Sequence, residues 1–478
     1  MLKSRKELPR ELLLIAFVSG ACSMLVEIAG ARAIAPYLGN TIYTWAAAIG
    51  LVLAALSVGY YAGGVLADRY NDRKHFSLIL LAAGIMTLIV PLLGNMLVPF
   101  TILLELSTAN LVSALILVPA SIFYGMVSPY VIKLTSRAGH EGQGAGRVFA
   151  ISTIGSILGA IGTGFILIPN VQLTHIFISA AIAMVLMSWI ASPKKGALLD
   201  ILPLALLGFL ALQAGHANLH GGEVVYETDS VYYHILVLDG NYDGEPARFM
   251  LLDNSFSTGE TLTGAPAFDY VRKSSISFEL IQDVQNALLI GVAGGTQIEE
   301  VKKNFPGVQV DGVDIDPKAI EAGKRYFSLE DDDNTELIVD DARRHVKTTD
   351  KTYDLVLIDV FRGRSIPPHL ATQNFLLELK GKMSQDGLVV VNVISALEGE
   401  DAIVFILLHN TFSSVFENVL AMPIGENPGE ITNIVLIATD RDISSFIEQH
   451  EGEIYFGQVP KAPPLTDELN PIEIYVVP

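Results

Sequence analysis

The chain has 478 residues, enough for two or three domains at about 150 residues each. Hydrophobic residues make up 51% and charged residues only 17%, against a usual charged share of about 25%, which rules out a disordered chain. The formal net charge of -20 argues against nucleic acid as a partner, and a single cysteine, Cys22, can form neither an internal disulfide nor a thiolate metal cage.

That charge is unevenly spread. Residues 1–220 carry 13 Lys+Arg and 8 Asp+Glu, whereas residues 221–478 carry 18 and 43. The first part is expected to be a transmembrane helical domain of 6–8 helices. A helix that crosses the hydrocarbon needs about 20 mostly apolar residues. Seven stretches come near this: 11–35, 44–66, 77–98, 110–132, 147–168, 173–191 and 198–214. The last has 17 residues and contains Pro203 and Gly208, so an interfacial or re-entrant segment is the expectation there. Basic residues cluster at Lys3/Arg5/Lys6/Arg10, Arg69/Arg73/Lys74, Lys133/Arg137/Arg147 and Lys194/Lys195. The alternate gaps carry none, a positive-inside pattern that places the N-terminus in the cytoplasm. Glu27 and Arg32 lie within the first span, five residues and about 140° apart on a helix. The reading is a structural one: Glu27 hydrogen-bonded between helices, Arg32 snorkelling to the surface. Gly59/Gly63 and Gly155/Gly159 form small faces that let helices approach closely.

The pattern changes at about residue 221. Val224-Val225-Tyr226, Tyr232–Leu238 and Phe249–Leu252 read as strands, with turns at Asp239-Gly240-Asn241 and Tyr242-Asp243-Gly244. Residues 221–275 are therefore expected to be a small β-rich subdomain. Residues 276–478 read as a Rossmann-like, methyltransferase-type α/β domain. Strands are expected at Ala287–Gly291, Val308–Ile315, Glu336–Val339, Leu355–Val360, Leu388–Ile394 and Ile434–Thr439, with helices at Thr296–Asn304 and Pro317–Phe327. Short apolar runs between helices predict a parallel sheet buried on both faces. Ligands bind such sheets at the carboxyl ends of the strands. The first strand ends in a glycine-rich turn with Gly291, Gly294 and Gly295, suited to close approach of a ligand. Asp314 ends the second strand 23 residues past Gly291, near the spacing of a ribose-binding carboxylate. Asp341 follows the third strand and Asp359 the fourth. Three successive strand ends thus carry an acid facing one crevice.

These residues resemble the spermidine synthase family of polyamine aminopropyltransferases, and the whole chain resembles its membrane-fused branch. Asp359-Val360-Phe361-Arg362-Gly363-Arg364-Ser365-Ile366-Pro367-Pro368-His369-Leu370-Ala371-Thr372-Gln373-Asn374-Phe375 carries the resemblance most specifically. Leu465-Thr466-Asp467, Pro471-Ile472-Glu473, and Glu27 and Arg32 in the first span add to it. The resemblance implies decarboxylated S-adenosylmethionine as co-substrate, an amine as acceptor, no metal, and a homo-oligomer. It implies that Asp314 holds the ribose, that Asp341 contacts the adenine amino group and that Asp359 is catalytic. Tyr232 and Tyr270 fit site tyrosines, and Arg362 falls where soluble members carry a second acid. Gly294 replaces an acid, and Tyr233 a glutamine, of those members. The expected function is aminopropyl transfer giving spermidine or a related polyamine, from a catalytic domain facing the cytoplasm across the cell membrane. The alternatives are an S-adenosylmethionine-dependent methyltransferase, and a transporter or membrane assembly protein with a nucleoside-sensing domain.

Overall fold

The computed structural model describes residues 9–38, 42–101, 111–135, 141–192, 222–253, 255–361 and 366–475. The 198–214 stretch and Arg362 lie outside the described residues. The chain divides into two compact units, Met1–Leu219 and His220–Pro478.

Six helices of the first unit are long and apolar enough to cross a membrane, which makes this a membrane protein. They are α1 (Arg10–Leu38), α2 (Ile42–Tyr70), α3 (Arg73–Thr101), α4 (Val118–Thr135), α5 (Glu141–Gly162) and α6 (Leu173–Ala191). Each of the first six apolar stretches overlaps one of them, the apolar spans at α4 and α5 extending over Leu111–Thr135 and Gly142–Asn170. Packing is pairwise: α1 on α5, α2 on α4, and α3 on α6. Small residues make this possible. A Cβ on Gly155 would lie 2.1 Å from the carbonyl oxygen of Phe17. Some polar side chains bond to each other across helix pairs, as an apolar surround favours. Ser77 and Ser188 bond between α3 and α6 at 2.8 Å, and Thr87 and Tyr124 between α3 and α4 at 3.0 Å. Leu53, Val58, Tyr61 and Val65 on α2, and Phe149, Ile157 and Leu158 on α5, are exposed. In water so broad an apolar surface would aggregate; in lipid it needs no partner. Arg32 departs from expectation. It keeps only 4% of its surface exposed, so neighbouring protein encloses it and it does not snorkel.

The second unit begins with an antiparallel sheet of four strands, β1 (Glu223–Asp229), β2 (His234–Tyr242), β3 (Glu245–Leu252) and β4 (Ser255–Thr261). The expected turn at Asp239-Gly240-Asn241 is absent: these residues continue β2 and pair with Arg248, Ala247 and Pro246. The reversal comes at Asp243-Gly244, with φ of 50° and 85°. Two successive positive φ values match the twist of a two-residue hairpin, and Asp-Gly supplies them.

Helix α7 (Asp269–Ile276) leads into a seven-stranded sheet. Its strands are β5 (Asn286–Ile290), β6 (Gln309–Asp314), β7 (Thr335–Val339), β8 (Tyr353–Ile358), β9 (Met383–Ser395), β10 (Asn418–Pro423) and β11 (Thr432–Thr439), in the order β10-β11-β9-β8-β5-β6-β7. The crossovers are α8 (Thr296–Asn304), α9 (Pro317–Tyr326), α10 (Ala342–Thr348) and α11 (Gln373–Lys380), with α12 (Ile403–Ser413) and α13 (Ser444–Gln449) following. Five strands are parallel, but β11 runs antiparallel to β9, so the sheet is mixed. Residues 424–431 join β10 to β11, too short a link for a parallel crossover. Helices start directly after strands because an acid or hydroxyl waits there as a cap. Asp316 accepts from the Lys318 amide at 3.0 Å, Asp341 from Arg344 at 2.9 Å and Thr372 from Phe375 at 3.2 Å. The end of the chain is pinned through Asp467, which accepts from Arg343 Nη1 and Thr372 Oγ1, each at 2.8 Å.

Gly155→Leu should therefore lower the thermal midpoint of the detergent-purified protein, by an overpacking cost of about 1–3 kcal/mol or more. Gly50→Leu is the control, since nothing lies within 4 Å of its added Cβ. Equal midpoints for the two variants would contradict the α1–α5 packing.

Candidate active site

Strand β5 lies between β8 and β6 and is bonded to both up to its last residue. The Asp359 amide donates to the Ile290 carbonyl at 2.8 Å, and Gly291 donates to the Val313 carbonyl at 2.9 Å. This brings Asp359 and Asp314 to opposite sides of the turn after β5. The turn has almost no room. A Cβ on Gly291, whose φ is +89°, would sit 2.1 Å from the Asp359 carbonyl oxygen. Ala293 holds a φ of +44°, a strained value for a residue with a side chain.

Asp314 spends its carboxylate on this backbone. Oδ2 accepts from the Val292 and Ala293 amides at 2.9 and 3.1 Å, and Oδ1 from Asp316 at 2.9 Å. Gly294 donates to Thr258 Oγ1 at 2.9 Å, tying the turn to β4 of the small sheet. Gly295 starts α8. Asp316 is fully buried, accepts from the Ser230 hydroxyl, and is pushed up to about 6 by burial.

Asp359 sits at the end of β8. Oδ2 accepts from the Tyr270 hydroxyl on α7 at 2.9 Å, and Oδ1 from Asn392 Nδ2 on β9 at 2.9 Å. Gln297, in the first turn of α8, lies close enough to this carboxyl to lower it as well. Asn392 is itself oriented by Asn433 Nδ2, which donates to its Oδ1 at 2.8 Å. Burial is the largest influence on Asp359 and pushes its carboxyl above the ordinary range; Asn392, Tyr270 and Gln297 oppose it. Burial, and then the charge of Asp359, push the Tyr270 hydroxyl well above 10, so it stays a donor. Among the described residues no Lys, Arg or His pairs with Asp359.

The expected site residues therefore form two joined groups. Gly291, Gly294, Gly295 and Asp314 build the turn; Asp359 and Tyr270 bond to each other beside it. Half-buried Tyr232 packs in the cluster that contains Ala293. Tyr233 is buried in the same cluster. Asp341 stands apart. Its Oδ1 caps α10, and its Oδ2 meets His369 Nε2 at 2.9 Å. Asn392, Gln297 and His369 are side chains to which sequence reasoning assigned no role. Asn392 was visible as a polar residue inside the apolar run Leu388–Ile394, a signal that a buried strand carries a functional group. Gln297 gave no such signal, because a polar residue in a first helical turn is ordinary. Among the described residues no group of three or more His, Cys, Asp or Glu side chains could hold a metal ion.

Residues 222–445 match the spermine/spermidine synthase domain. A polyamine aminopropyltransferase of Vibrio vulnificus is 29% identical over 36% of this chain and 60% of that protein. The polyamine aminopropyltransferase 2 of Aquifex aeolicus is 23% identical over 78% of this chain and 77% of that one, so the similarity there extends well beyond the domain. A probable spermidine synthase from Corynebacterium glutamicum has a TM-score of 0.42 at 19% identity, over 50% of this chain and 89% of that one. The chain thus spans less than two thirds of the Vibrio relative.

A carboxyl whose folded value is raised stabilises the fold while protonated and loses that contribution as pH rises through the raised value. In its ionised form Asp359 opposes folding. Asp359→Asn should raise the thermal midpoint at pH 7, and the gain should shrink as pH falls toward the ordinary carboxylate range. Midpoints measured across pH check this; a variant less stable than the parent at pH 7 contradicts it.

Proposed function

We propose that this chain, which carries a spermine/spermidine synthase domain over residues 222–445, is a membrane-bound aminopropyltransferase acting on decarboxylated S-adenosylmethionine and an amine. The observation that carries the reading is Asp359: a buried carboxylate held by two neutral donors, Tyr270 and Asn392, and paired with no cation among the described residues. A buried charge without a counter-ion is costly, and a cationic or hydrogen-donating ligand offsets that cost.

In the reaction the amine nitrogen attacks the carbon next to the sulfonium. A C–N bond forms, the C–S bond breaks with its electron pair going to sulfur, and the neutral thioether leaves. The nitrogen gains positive charge as it bonds, and Asp359 takes the proton it sheds. A raised carboxyl is a stronger base than an exposed one, which suits that role. Tyr270 and Asn392 fix the carboxylate's direction, so that positioning supplies part of the acceleration. The leaving thioether needs no acid. Asp314, by clamping the Val292 and Ala293 amides and accepting from Asp316, shapes the turn on which the nucleoside would rest, with about one lone pair left on Oδ1 for a ribose hydroxyl. Asp341 is assigned to the adenine end, where His369 would have to share it. Tyr232 would line the same crevice. The acceptor is read as a linear diamine or triamine.

Purified protein incubated with decarboxylated or intact S-adenosylmethionine and a panel of linear amines, read by mass spectrometry, tests this. Aminopropylated amine and methylthioadenosine are expected; a methylated product with S-adenosylhomocysteine would replace the reading by methyl transfer. Asp359→Asn should reduce turnover roughly 10²–10⁴-fold with little change in methylthioadenosine affinity. In the parent, kcat/KM should fall as pH drops through the raised value of Asp359, above the ordinary carboxylate range.

The catalytic unit is placed in the cytoplasm of a cell bounded by the membrane it spans. Arg69, Arg73, Lys74 and Lys133 lie at the ends of α2, α3 and α4 that the basic pattern puts inside. Cysteines introduced at positions 194 and 220, in a Cys22→Ser background, should both be protected from an impermeant thiol reagent in intact cells. Labelling of position 220 alone would place the catalytic unit outside.

A further inference from the structure

The groups around Asp359 are unequal in one respect. Their remaining hydrogen-bonding capacity differs. Asn392 uses its carbonyl on Asn433. Tyr270 has a phenol oxygen that has given its proton. Gln297 is different. Its side chain adjoins Asp359, and its Oε1 is buried and has no hydrogen-bond partner. The residue keeps only 6% of its surface exposed.

An orphaned carbonyl at that depth costs about 1–3 kcal/mol, and native structures rarely keep one without a reason. Core packing does not need it. Gln297 is the second residue of α8, next to Ile298, which supplies the apolar contact there at 0% exposure. Nor does support of Asp359 need it, since a carbonyl oxygen has no proton to give a carboxylate. What the oxygen can do is accept. Beside a carboxylate it makes a pair of acceptors, one charged and one neutral. A ligand carboxylate would be repelled by both. A primary amine matches both, with one N–H to Asp359 and a second to Gln297.

We propose that Gln297 Oε1 is the second hydrogen-bond acceptor for the nucleophilic amine, making Gln297 a substrate-positioning and specificity residue for linear primary amines. This rests on the aminopropyl-transfer reading. Two directed N–H bonds leave the nitrogen lone pair as the remaining tetrahedral direction, which aims it away from both acceptors toward the electrophilic carbon. With a single acceptor the nitrogen would rotate freely about one hydrogen bond. A tertiary amine has no N–H to give, and a secondary amine cannot give both and keep the same chain direction, so primary ends are preferred.

The test uses the full-length protein in detergent, loaded with methylthioadenosine, and isothermal titration with 1,4-diaminobutane and with spermidine. Gln297→Met keeps the volume and removes the acceptor; amine affinity should fall roughly tenfold or more, the weight of a hydrogen bond to a charged group. Affinity for methylthioadenosine should stay unchanged. Gln297→Glu is the rescue. Two adjoining carboxyls share a proton at neutral pH, so the new side chain can donate to Asp359 and still offer an oxygen. It should bind amine within about threefold of the parent. If Gln297→Met does not fold, Gln297→Asn, which withdraws the carbonyl by one methylene, is read the same way. Unchanged amine affinity in the Met or Asn variant, or equal loss in the Glu variant, overturns the proposal. Absence of any aminopropylated product from the parent protein with either amine would instead remove the functional reading itself.

Discussion

The site depends on a carboxylate kept where water cannot reach it. Burying Asp359 raises the energy of its ionised form, and that penalty gives it the basicity the proposed reaction calls for. It is tolerable because neutral donors reach it from two different elements, Tyr270 on α7 and Asn392 on β9, with Gln297 on α8 adjoining it. A cation among them would have ended the penalty and, with it, the basicity. The hydrogen bonds keep the group ionisable, whereas a permanent salt bridge would keep it occupied. A substrate that brings its own N–H groups can then enter a place left for it.

The backbone is built to the same end. Parallel strands β8, β5 and β6 finish side by side, so residues far apart in sequence meet at one edge. The contact is so tight that Gly291 can carry no side chain beneath the Asp359 carbonyl. Asp314 then fixes the turn by accepting from Val292 and Ala293, which helps hold Ala293 in its left-handed conformation. The acid at the end of β6 thus serves the shape of the turn before it serves any ligand. Thr258, from the small sheet, closes the arrangement by accepting from Gly294. That bond gives the β-rich subdomain a direct part in forming the turn.

Much of this was legible in the sequence where a periodic or punctuating signal exists. Runs of five or six apolar residues gave the strands, and Asp316-Pro317 marked the start of α9. Long apolar stretches gave the six helices. The errors have physical causes. Asp239-Gly240-Asn241 reads as a turn by composition, but pairing with β3 overrides local preference, and Asp243-Gly244 takes the reversal instead. The antiparallel β11 looks like any buried strand, because burial on both faces erases the alternation that would have distinguished it; only the short link from β10 carries the direction. Arg32 reads as a snorkelling residue near a span's end, but helix packing encloses it. Strand-end acids were readable because an acid after an apolar run is unusual. Of their partners, Tyr270 was legible through the family resemblance alone, and Gln297 was not, since it is an ordinary residue in a first helical turn until the sheet brings it beside Asp359.

Composition connects with this site at longer range. Residues 221–478 carry a net charge of -25, far more than the local geometry of Asp359 requires. Such a surface raises the local concentration of small polycations and speeds their encounter, an effect that falls with ionic strength. It also disfavours an anionic lipid surface, so the unit gains nothing from lying against one. The helices of residues 1–220 must then supply the attachment, and their exposed apolar faces are suited to lipid. Long-range attraction selects by charge alone and cannot distinguish one polyamine from another. Selection has to occur at short range, where burial makes each unmatched donor or acceptor expensive. On the proposed function, the acidic surface would bring polycations to the unit, and the few hydrogen-bonding groups around Asp359 would decide which of them react.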